Sequence, residues 1–475
     1  MLIKQHIKKI LLSITIVLGL LACLINFETI RTFPSWFDEA VYANMSFNSA
    51  HGAGLTLDLV PGYDQIENLI YGPIYFILQV LLIKFFGLQV LVFRLPNFLA
   101  AYIVVFLIAS VLYRNGLKRN YLLLFISAAL VDVSFNRNIV SGRMDMFAVM
   151  FISLSLYLVN SQLIGLKNRL ANYQNWLMIG CLSAAAYLTT PRALFLLPIV
   201  FTSGVHRLFI KSNSFSRNEA LIYFLVTIIA FIVPVVIWIN YVGGIQAYAA
   251  MFHRDTVTSS HIGFSFFRSV YDNIPICIML CLSIINFKKV IKDPLMIGLI
   301  INYITFSVFV KEIGPYAAMI MPFILAIIVL ILAKSDYKFS IKGFIFALVL
   351  IPGTLLLFLR GIDLYLNSDC RDSKKVISVL DQVLNKDTKI VAPFKYYFFL
   401  AQKGRKVVTF EYSKLKEEGV IKDAGLIITN SSDKDLLLSK GYKKANQLVC
   451  NPYRVPLLPS TFYSRSVFNE DLLIK

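Results

Sequence analysis

The sequence predicts an α-helical, polytopic membrane protein that ends in a small α/β domain. Of its 475 residues, 57% are hydrophobic and 15% are charged, which is more apolar than a soluble protein of this length requires. Apolar runs long enough to cross a bilayer recur from the N-terminus to about residue 360. Beyond that point, short helical and strand-like patterns replace the long runs. We therefore expect a membrane domain over 1–360 and a second domain over 361–475.

The formal net charge of +19 invites a nucleic-acid-binding interpretation. The Lys and Arg residues lie between the apolar runs, however, and they form no basic stripe with interleaved aromatic residues. Cytoplasmic loops of membrane proteins are enriched in Lys and Arg, and anionic lipids attract the same residues. The charge therefore indicates membrane topology and lipid contact, and no nucleic-acid partner is expected.

Eleven apolar segments are predicted to span the membrane. The segment 72–86 is left out because it reaches roughly 22 Å as a helix, short of the roughly 30 Å hydrocarbon core. We expect it to form a re-entrant or interfacial helix. The predicted spans lie near 10–27, 94–113, 119–136, 145–162, 174–190, 193–210, 219–240, 270–287, 294–310, 315–333 and 342–360.

Leaving out 72–86 brings the basic clusters to one side of the membrane. The first span is preceded by Lys4, Lys8 and Lys9 and is interpreted as an uncleaved helix with its N-terminus inside. Counting 72–86 as a span would put every later basic cluster outside, against the positive-inside rule. The C-terminal domain is then outside a plasma (inner) membrane. The loops predicted inside contain Arg114, Lys118 and Arg119; Lys167 and Arg169; Arg207, Lys211 and Arg217; Lys288, Lys289 and Lys292; and Lys334, Lys338 and Lys342.

The C-terminal region, 361–475, has the pattern of a small α/β domain. Helices are predicted at 373–385 and 433–440, the second closed by Gly441, and strands at 389–392, 406–410 and 426–429. Cys370 and Cys450 both fall in this region. They could form a disulfide if the region is exported.

An acidic pair, Asp38-Glu39, follows the first span in a long outside loop, 28–71. Desolvation near the membrane surface raises a carboxylate pKa and makes it a stronger base. A positioned carboxylate that takes a proton from an acceptor hydroxyl contributes about 10²–10⁴ in rate. Such a pair can also be structural, with Asp38 capping a helix and Glu39 favouring its dipole.

Other candidate residues lie on the same predicted side. Asp145 follows Arg143 at the outer mouth of the fourth span, and Asp132 is a weaker candidate near the end of the third. Outside cations are few, and each one could neutralise a phosphate or contact a lipid headgroup. They include Arg192, then His253 and Arg254 in the loop 241–269, and Lys311.

Five motifs in this order resemble the GT-C superfamily of membrane glycosyltransferases. The resemblance covers roughly residues 10–330 and is strongest to the family 39-like group of protein O-mannosyltransferases, aminoarabinose transferases and Rgt-type galacturonosyl transferases. The motifs are Asp38-Glu39-Ala-Val-Tyr42, Gly72-Pro73-Ile74-Tyr75-Phe76, Arg94-Leu95-Pro96, Arg143-Met144-Asp145, and Tyr316 followed by Pro322.

The resemblance implies transfer of a hexosyl or pentosyl group, with inversion, from a polyprenyl-phosphate donor to an acceptor on the outer face. By this analogy Asp38 is the base or orients the acceptor, supported by Glu39 and Asp145, while Arg192 or Arg254 holds the donor phosphate. Family members often carry Lys or His where this chain has Tyr71. No cofactor is certain, although a divalent cation on Asp38 and Asp145 is possible. The remaining substrate-binding candidates are Tyr42, Tyr75, Arg94, Arg143, His253, Lys311 and Tyr316.

Two other functions remain open at this point. A transporter or lipid flippase should show inverted repeats and charges at mid-membrane, and the sequence shows neither. A polysaccharide ligase or polymerase of the outer face would depend on His253 and Arg254 in the later loop. The motifs are compatible with several acceptors, namely lipopolysaccharide or another lipid, a glycan or a protein.

Overall fold

A computed structural model gives the fold of the chain. It describes residues 2–60, 71–161, 169–210, 215–256, 273–310, 313–383, 389–409, 424–429, 434–439, 441–448, 450, 452–455, 467–468 and 470–474. The described chain is mostly helical, and a five-stranded sheet lies near its C-terminal end.

The membrane part contains sixteen helices among the described residues. They are α1 (Leu2–Thr32), α2 (Phe37–Ala50), α3 (Pro73–Phe86), α4 (Val90–Arg114), α5 (Arg119–Val131), α6 (Val133–Ile139), α7 (Asp145–Val159), α8 (Arg169–Tyr187), α9 (Pro198–Val205), α10 (Arg217–Tyr241), α11 (Ile245–Thr256), α12 (Ile274–Ile285), α13 (Phe287–Val290), α14 (Pro294–Phe309), α15 (Ile313–Lys334) and α16 (Phe339–Leu366). A 3₁₀ turn (Pro191–Leu196) precedes α9 and a short π-helix (His206–Ile210) follows it.

Helix occurs in each of the eleven segments predicted to span. Among the described residues, six helical stretches are long and apolar enough to cross a membrane, and α5 with α6 would make a seventh. That pair is bent by 58° at Asp132, so the span predicted near 119–136 is not one straight helix. Asp132 ends α5 and begins α6 by accepting a hydrogen bond from the Phe135 N–H at 2.8 Å. Eleven spans stay a prediction, because α7, α12 and α14 are shorter apolar helices and α8 is not among the six long stretches.

The segment left out of the span count forms the 14-residue helix α3. Tyr75, Phe76, Gln79 and Ile83 are buried on one face. The opposite face exposes apolar side chains at helical spacing, namely Ile77, Leu81 and Phe85. A helix this short with one apolar face left uncovered suits the membrane interface.

The basic loops predicted inside meet at one end of the helix bundle. Arg114 donates to the Tyr157 hydroxyl, and Lys342 donates to the Tyr121 hydroxyl at 3.2 Å. Lys334 pairs with Asp293 near the start of α14, and Lys289 pairs with Asp336 at 2.6 Å. These contacts join four of the five loops at a single end, which supports the predicted sidedness.

Helix α15 forms the centre of the bundle. Its residues from Ala317 to Leu332 are almost all buried, whereas α1, α10 and α16 expose most of their apolar side chains. Exposed apolar helices around a buried apolar helix are expected where lipid replaces water as the solvent. The chain is therefore a polytopic membrane protein in its architecture.

The C-terminal sheet has the strand order β2-β1-β3-β5-β4. Its strands are β1 (Ile390–Val391), β2 (Val407–Val408), β3 (Leu426–Thr429), β4 (Lys443–Gln447) and β5 (Asp471–Ile474), and its helices are α17 (Ser373–Val383), α18 (Tyr397–Gln402) and α19 (Lys434–Ser439). The predicted strands β1, β2 and β3 are confirmed and run parallel to one another. Strand β5 pairs antiparallel with both β3 and β4, and neither β4 nor β5 was predicted.

Two further expectations for this domain are confirmed. Gly441 follows α19 with a positive φ of 91°, which suits a glycine closing a helix. Cys370 and Cys450 form a disulfide with a Cα–Cα distance of 5.5 Å. The bridge joins the segment just after α16 to a residue that follows β4.

The C-terminal domain packs directly on the segment that follows α1. The rings of Phe37 and Phe394 lie 4.7 Å apart, and the Ser35 hydroxyl donates to the Phe394 carbonyl at 3.0 Å. The Thr409 N–H donates to the Leu59 carbonyl at 2.9 Å. One hydrophobic core therefore includes both the helix α2 and the sheet.

Candidate active site

The acidic pair lies in the first turn of α2, and its two side chains have different partners. The helix begins at Phe37, and Glu39 accepts a hydrogen bond from the Trp36 N–H at 2.6 Å. Glu39 therefore caps the helix, and the structural role predicted for Asp38 as the cap is wrong. Asp38 is left to face the start of α7.

Glu39 is held by Arg94 of α4 in a two-point ion pair. Arg94 Nε and Nη2 donate to the two carboxylate oxygens at 2.6 and 2.7 Å, and both residues are buried. Arg94 also donates to the carbonyl oxygens of Phe33 and Pro34 at the end of α1. Because these atoms are occupied within the protein, the geometry gives Glu39 and Arg94 a positioning role.

The loop before α7 is fixed by the same acid. The Gly142 N–H donates to Glu39 Oε1 at 2.5 Å, and the Tyr75 hydroxyl donates to the Gly142 carbonyl at 2.9 Å. A Cβ at Gly142 would lie 2.4 Å from the Phe93 ring, so a side chain there would collide. Tyr75 supports this loop from a fully buried position, and its predicted contact with substrate stays a prediction.

Arg143 joins the two other acids that the sequence singled out. Its Nε donates to Asp145 Oδ2 at 2.7 Å, and its Nη1 donates to Asp38 Oδ2. The side chain of Asp38 is 22% exposed, against 4% for Arg143 and 3% for Asp145. Asp38 is thus the carboxylate of this group that a substrate can reach most easily.

Two asparagines that sequence reasoning missed hold Asp145 and its loop. Asn138 Nδ2 donates to Asp145 Oδ2 at 3.1 Å. Asn97 Nδ2 donates to the Asn138 and Ser141 carbonyls, and its Oδ1 accepts from the Met146 N–H at 3.0 Å. The available signal was weak: an asparagine directly after Arg94-Leu95-Pro96, in an otherwise apolar helix.

Aromatic side chains connect Arg143 to a second arginine, Arg192. The Tyr316 ring lies 4.6 Å from the Arg143 guanidinium carbon and 3.9 Å from that of Arg192. Arg192 Nη1 donates to the Tyr71 hydroxyl at 3.1 Å, and the Tyr71 ring packs edge-on against Tyr42 at 5.4 Å. The structure therefore brings together five predicted residues of the site, namely Asp38, Tyr42, Arg143, Arg192 and Tyr316.

Three predicted cations are not placed at the site. His253 and Arg254 belong to α11, where the structure describes the helix but not their side chains. Lys311 lies outside the described residues. Their proposed contacts with the donor stay predictions.

Burial and charge act on Asp38 in opposite directions. Burial raises the pKa of its carboxyl above the usual range, and the nearby carboxylates of Asp145 and Glu39 raise it further. The positive charges of Arg143 and Arg192 lower the pKa, but burial prevails. Burial also raises the pKa of the Tyr42 hydroxyl well above its usual value. Asp38 therefore combines access with raised basicity, as a proton acceptor requires.

The acidic residues do not fit a divalent cation. The guanidinium of Arg143 lies between Asp38 and Asp145 and pairs with both, which is the position a bridging cation would take. Within the described ranges, no three His, Cys, Asp or Glu side chains converge as metal ligands. Arg143 supplies the positive charge itself.

Comparison with known proteins locates the fold. No protein-family model and no curated protein matches the chain. ArnT from Cupriavidus metallidurans has a TM-score of 0.59 at 10% identity in its apo state, covering 96% of this chain and 97% of that one. Its form bound to undecaprenyl phosphate gives 0.57 at 11% identity, with the same coverage.

A second solved structure is more distant. The Archaeoglobus fulgidus oligosaccharyltransferase, tethered to an acceptor peptide, has a TM-score of 0.50 at 9% identity and covers 96% of this chain and 76% of that one. At these identities the matches show a shared fold. The chain thus shares the fold of ArnT over nearly its whole length.

Proposed function

We propose that this chain is a glycosyltransferase that moves a sugar from a polyprenyl-phosphate donor to an acceptor on the outer face of the membrane. The observation that carries the proposal is the position of Asp38. It is a partly exposed carboxylate of raised pKa, paired with Arg143 and close enough to Arg192 for that charge to act on it. A base beside two arginines suits a reaction in which a hydroxyl attacks and a phosphate leaves.

The proposed reaction is a single displacement at the anomeric carbon of the donor sugar. The acceptor hydroxyl transfers its proton to Asp38, and its oxygen forms the new bond to that carbon. The bond from the carbon to the phosphate oxygen breaks, and polyprenyl phosphate leaves with the electron pair. Attack from the side opposite the phosphate inverts the configuration, and transfer covers a hexosyl or pentosyl group.

The arginines stabilise the charge that develops on the phosphate. Arg192 lies between Tyr316 and Tyr71, so its guanidinium is held in place before the donor arrives. Preorganised cations favour the transition state because the negative charge on the leaving group grows as the bond breaks. The lipid-facing helix α3 begins at Pro73, close to Tyr71, and offers the polyprenyl chain a lateral route from the bilayer.

The comparisons support this proposal at the level of the donor class. ArnT has been solved with undecaprenyl phosphate bound, and the oligosaccharyltransferase with an acceptor peptide. For this chain, the acceptor is proposed only as a glycan, a lipid or a protein on the outer face. The basic end of the bundle supports an inside N-terminus, with the C-terminal domain outside.

The test is sugar transfer in proteoliposomes loaded with a polyprenyl-phosphate-linked sugar. Asp38→Asn should lower transfer at least about 100-fold while the melting temperature stays near that of the wild type. Asp369→Asn is the matched control, because that carboxylate is 91% exposed on the same side. Transfer that survives in a folded Asp38→Asn protein would rule the mechanism out.

A parallel pair of variants separates the ligase alternative. His253→Ala and Arg254→Ala are compared with Asp38→Asn, because the ligase alternative depends on His253 and Arg254 whereas the proposed mechanism depends on Asp38. Loss of transfer in these variants, with Asp38→Asn still active, would favour the polysaccharide ligase or polymerase.

Labelling of Asp369→Cys by a membrane-impermeant maleimide, on intact cells, tests the proposed sidedness.

A further inference from the structure

A second cavity lies away from the acidic site, between the membrane part and the C-terminal domain. It has a volume of about 750 Å³, within the range of ligand-binding clefts. Its walls come from the end of α1, the end of α2, the turn between α3 and α4, and the helix α18. Within the described chain, its lining includes none of Asp38, Arg143 and Arg192. We refer to it as the α1–α18 cleft.

Two walls of the cleft continue into surfaces that face lipid. On α1, the exposed apolar residues Leu20, Leu24 and Phe27 run up one side of the helix to Arg31, which lines the cleft. The stretch from Leu20 to Arg31 rises about 16 Å, close to the thickness of one leaflet of hydrocarbon at about 15 Å. The cleft thus lies where the acyl chains of one leaflet end.

On the other wall, the exposed face of α3 ends at the turn that follows it. Phe85 and Phe86 are exposed at the end of this helix, and Leu88 then lines the cleft. Gln402 of α18 donates to the Leu88 carbonyl, and Gln89 donates to the Phe86 carbonyl at 3.0 Å. The turn is therefore fixed at the membrane surface by the C-terminal domain.

The polar groups of the cleft favour an anion. Arg31 contributes a guanidinium, held by Glu28 at 2.6 Å and still largely exposed. His51 Nδ1 lies 2.8 Å from the Phe47 carbonyl oxygen. When Nδ1 donates to this oxygen, the other ring nitrogen, Nε2, points away from Phe47. The first turn of α4 also lines the cleft, and Gln89 makes no side-chain cap for it. The positive end of that helix adds to the charge of Arg31.

The apolar remainder of the lining matches a lipid better than a free ion. Phe33, Phe47, Phe398 and Ile377 also line the cleft. A free phosphate would leave this apolar surface in water, whereas a lipid covers it and places its chains along α1. A phosphate headgroup at the bilayer surface also gains attraction from one nearby cation.

We propose that an anionic phospholipid of the outer leaflet binds in the α1–α18 cleft and fastens the C-terminal domain over the helix α2. Its phosphate lies by Arg31 and the start of α4, and its chains lie along the exposed stripe of α1. The lipid contacts both the membrane part and α18, so its binding stabilises the docked domain. The proposal does not depend on sugar transfer.

The test uses the purified full chain in an uncharged detergent and follows its melting temperature during lipid titration. Phosphatidylglycerol should raise the melting temperature more than phosphatidylcholine does. Arg31→Gln should raise the half-saturating phosphatidylglycerol concentration about fivefold, the loss expected for one surface cation. Glu28→Gln is the matched control: it breaks the same surface ion pair but keeps the cation, so affinity should be unchanged or higher.

Four outcomes would overturn the proposal. Equal stabilisation by phosphatidylcholine would remove the requirement for an anion. Equal loss in Arg31→Gln and Glu28→Gln would assign the effect to the ion pair. Stabilisation by inorganic phosphate alone would identify a site for a free anion. Displacement of phosphatidylglycerol by a polyprenyl phosphate would assign the cleft to the donor.

Discussion

Arg94 grips both carboxylate oxygens of Glu39, at 2.6 and 2.7 Å, across 55 positions of the chain. Because of this contact, the two residues of the acidic pair have different roles. Glu39 fixes the start of α2 against α4 and the end of α1, and it leaves its neighbour Asp38 beside Arg143. Adjacent acids thus serve different purposes, one in positioning and one in the proposed chemistry.

Glu39→Gln should destabilise the protein strongly. The substitution leaves the Arg94 charge buried without its partner, and breaking a buried ion pair costs about 3–5 kcal/mol. Unfolding in detergent, followed by loss of helical signal, measures this change. Glu28→Gln is the control, because it breaks the exposed Glu28–Arg31 pair and should cost less than about 1 kcal/mol. Equal losses would contradict the positioning role of Glu39.

The pH dependence of transfer should report on Asp38. A carboxylate acts as a base only in its ionised form. As the pH is lowered through the pKa of Asp38, the carboxylate is protonated and kcat/KM falls. Because burial raises this pKa, the fall should begin above the pH expected for an ordinary aspartate. Arg143 lowers the same pKa. Arg143→Gln should therefore move the acid limb to still higher pH, and an unmoved limb would mean that Asp38 is not the titrating base.

The prediction from sequence was most accurate where the local pattern decides the structure. The short helix α3, the strands β1 to β3 and the closing Gly441 follow from apolar spacing and from glycine at a helix end. The bend at Asp132 was missed because the apolar run continues through it. One aspartate lowers the mean hydropathy of a long apolar run only slightly, and that small change does not reveal that the aspartate begins a new helix.

The sequence predicted which residues belong to the site better than it predicted which contacts they make. Arg94 and Arg143 both appeared as substrate-binding candidates, since a motif does not state which acid each arginine meets. The structure places Arg94 on Glu39 and Arg143 between Asp38 and Asp145. Asn97 was missed because its contacts join α4 to residues near α6 and α7 that are distant in sequence, and Asn138 because its contact with Asp145 depends on how the loop before α7 turns.

The C-terminal domain should prove inseparable from the site. Phe394 packs on Phe37, the residue before Asp38, and its carbonyl accepts from Ser35. Phe394→Ala empties part of a shared core, at a cost of about 3–5 kcal/mol. It should lower both the melting temperature and kcat. Tyr453→Ala, at an exposed aromatic of the same domain, is the control. Normal kcat in Phe394→Ala would show that the domain does not position α2.

The disulfide should add to the stability of this arrangement. Cys370 and Cys450 close a loop of 80 residues that contains β1 to β4. Losing a native disulfide costs about 2–5 kcal/mol. Cys370→Ser, Cys450→Ser and the double variant should therefore show the same lowered melting temperature. An additive effect of the two substitutions would mean that the cysteines act separately.

Gly72 should tolerate no side chain, although it lies outside the acidic cluster. A Cβ there would meet the Leu188 carbonyl oxygen at 2.1 Å and its Cα at 2.5 Å, and these are backbone atoms that cannot swing aside. Gly72 is the N-cap residue of α3, and the hydroxyl of Tyr71 before it accepts a hydrogen bond from Arg192. Gly72→Ala should push the start of α3 away from the end of α8 and move Tyr71 with it. We expect weaker donor binding, seen as a raised KM for the polyprenyl-phosphate sugar.

Gly87→Ala is not a suitable control because Gly87 has a φ of 75°, whereas Gly343→Ala meets open space and should leave KM unchanged. A wild-type KM in Gly72→Ala would show that this close approach does not set the donor site.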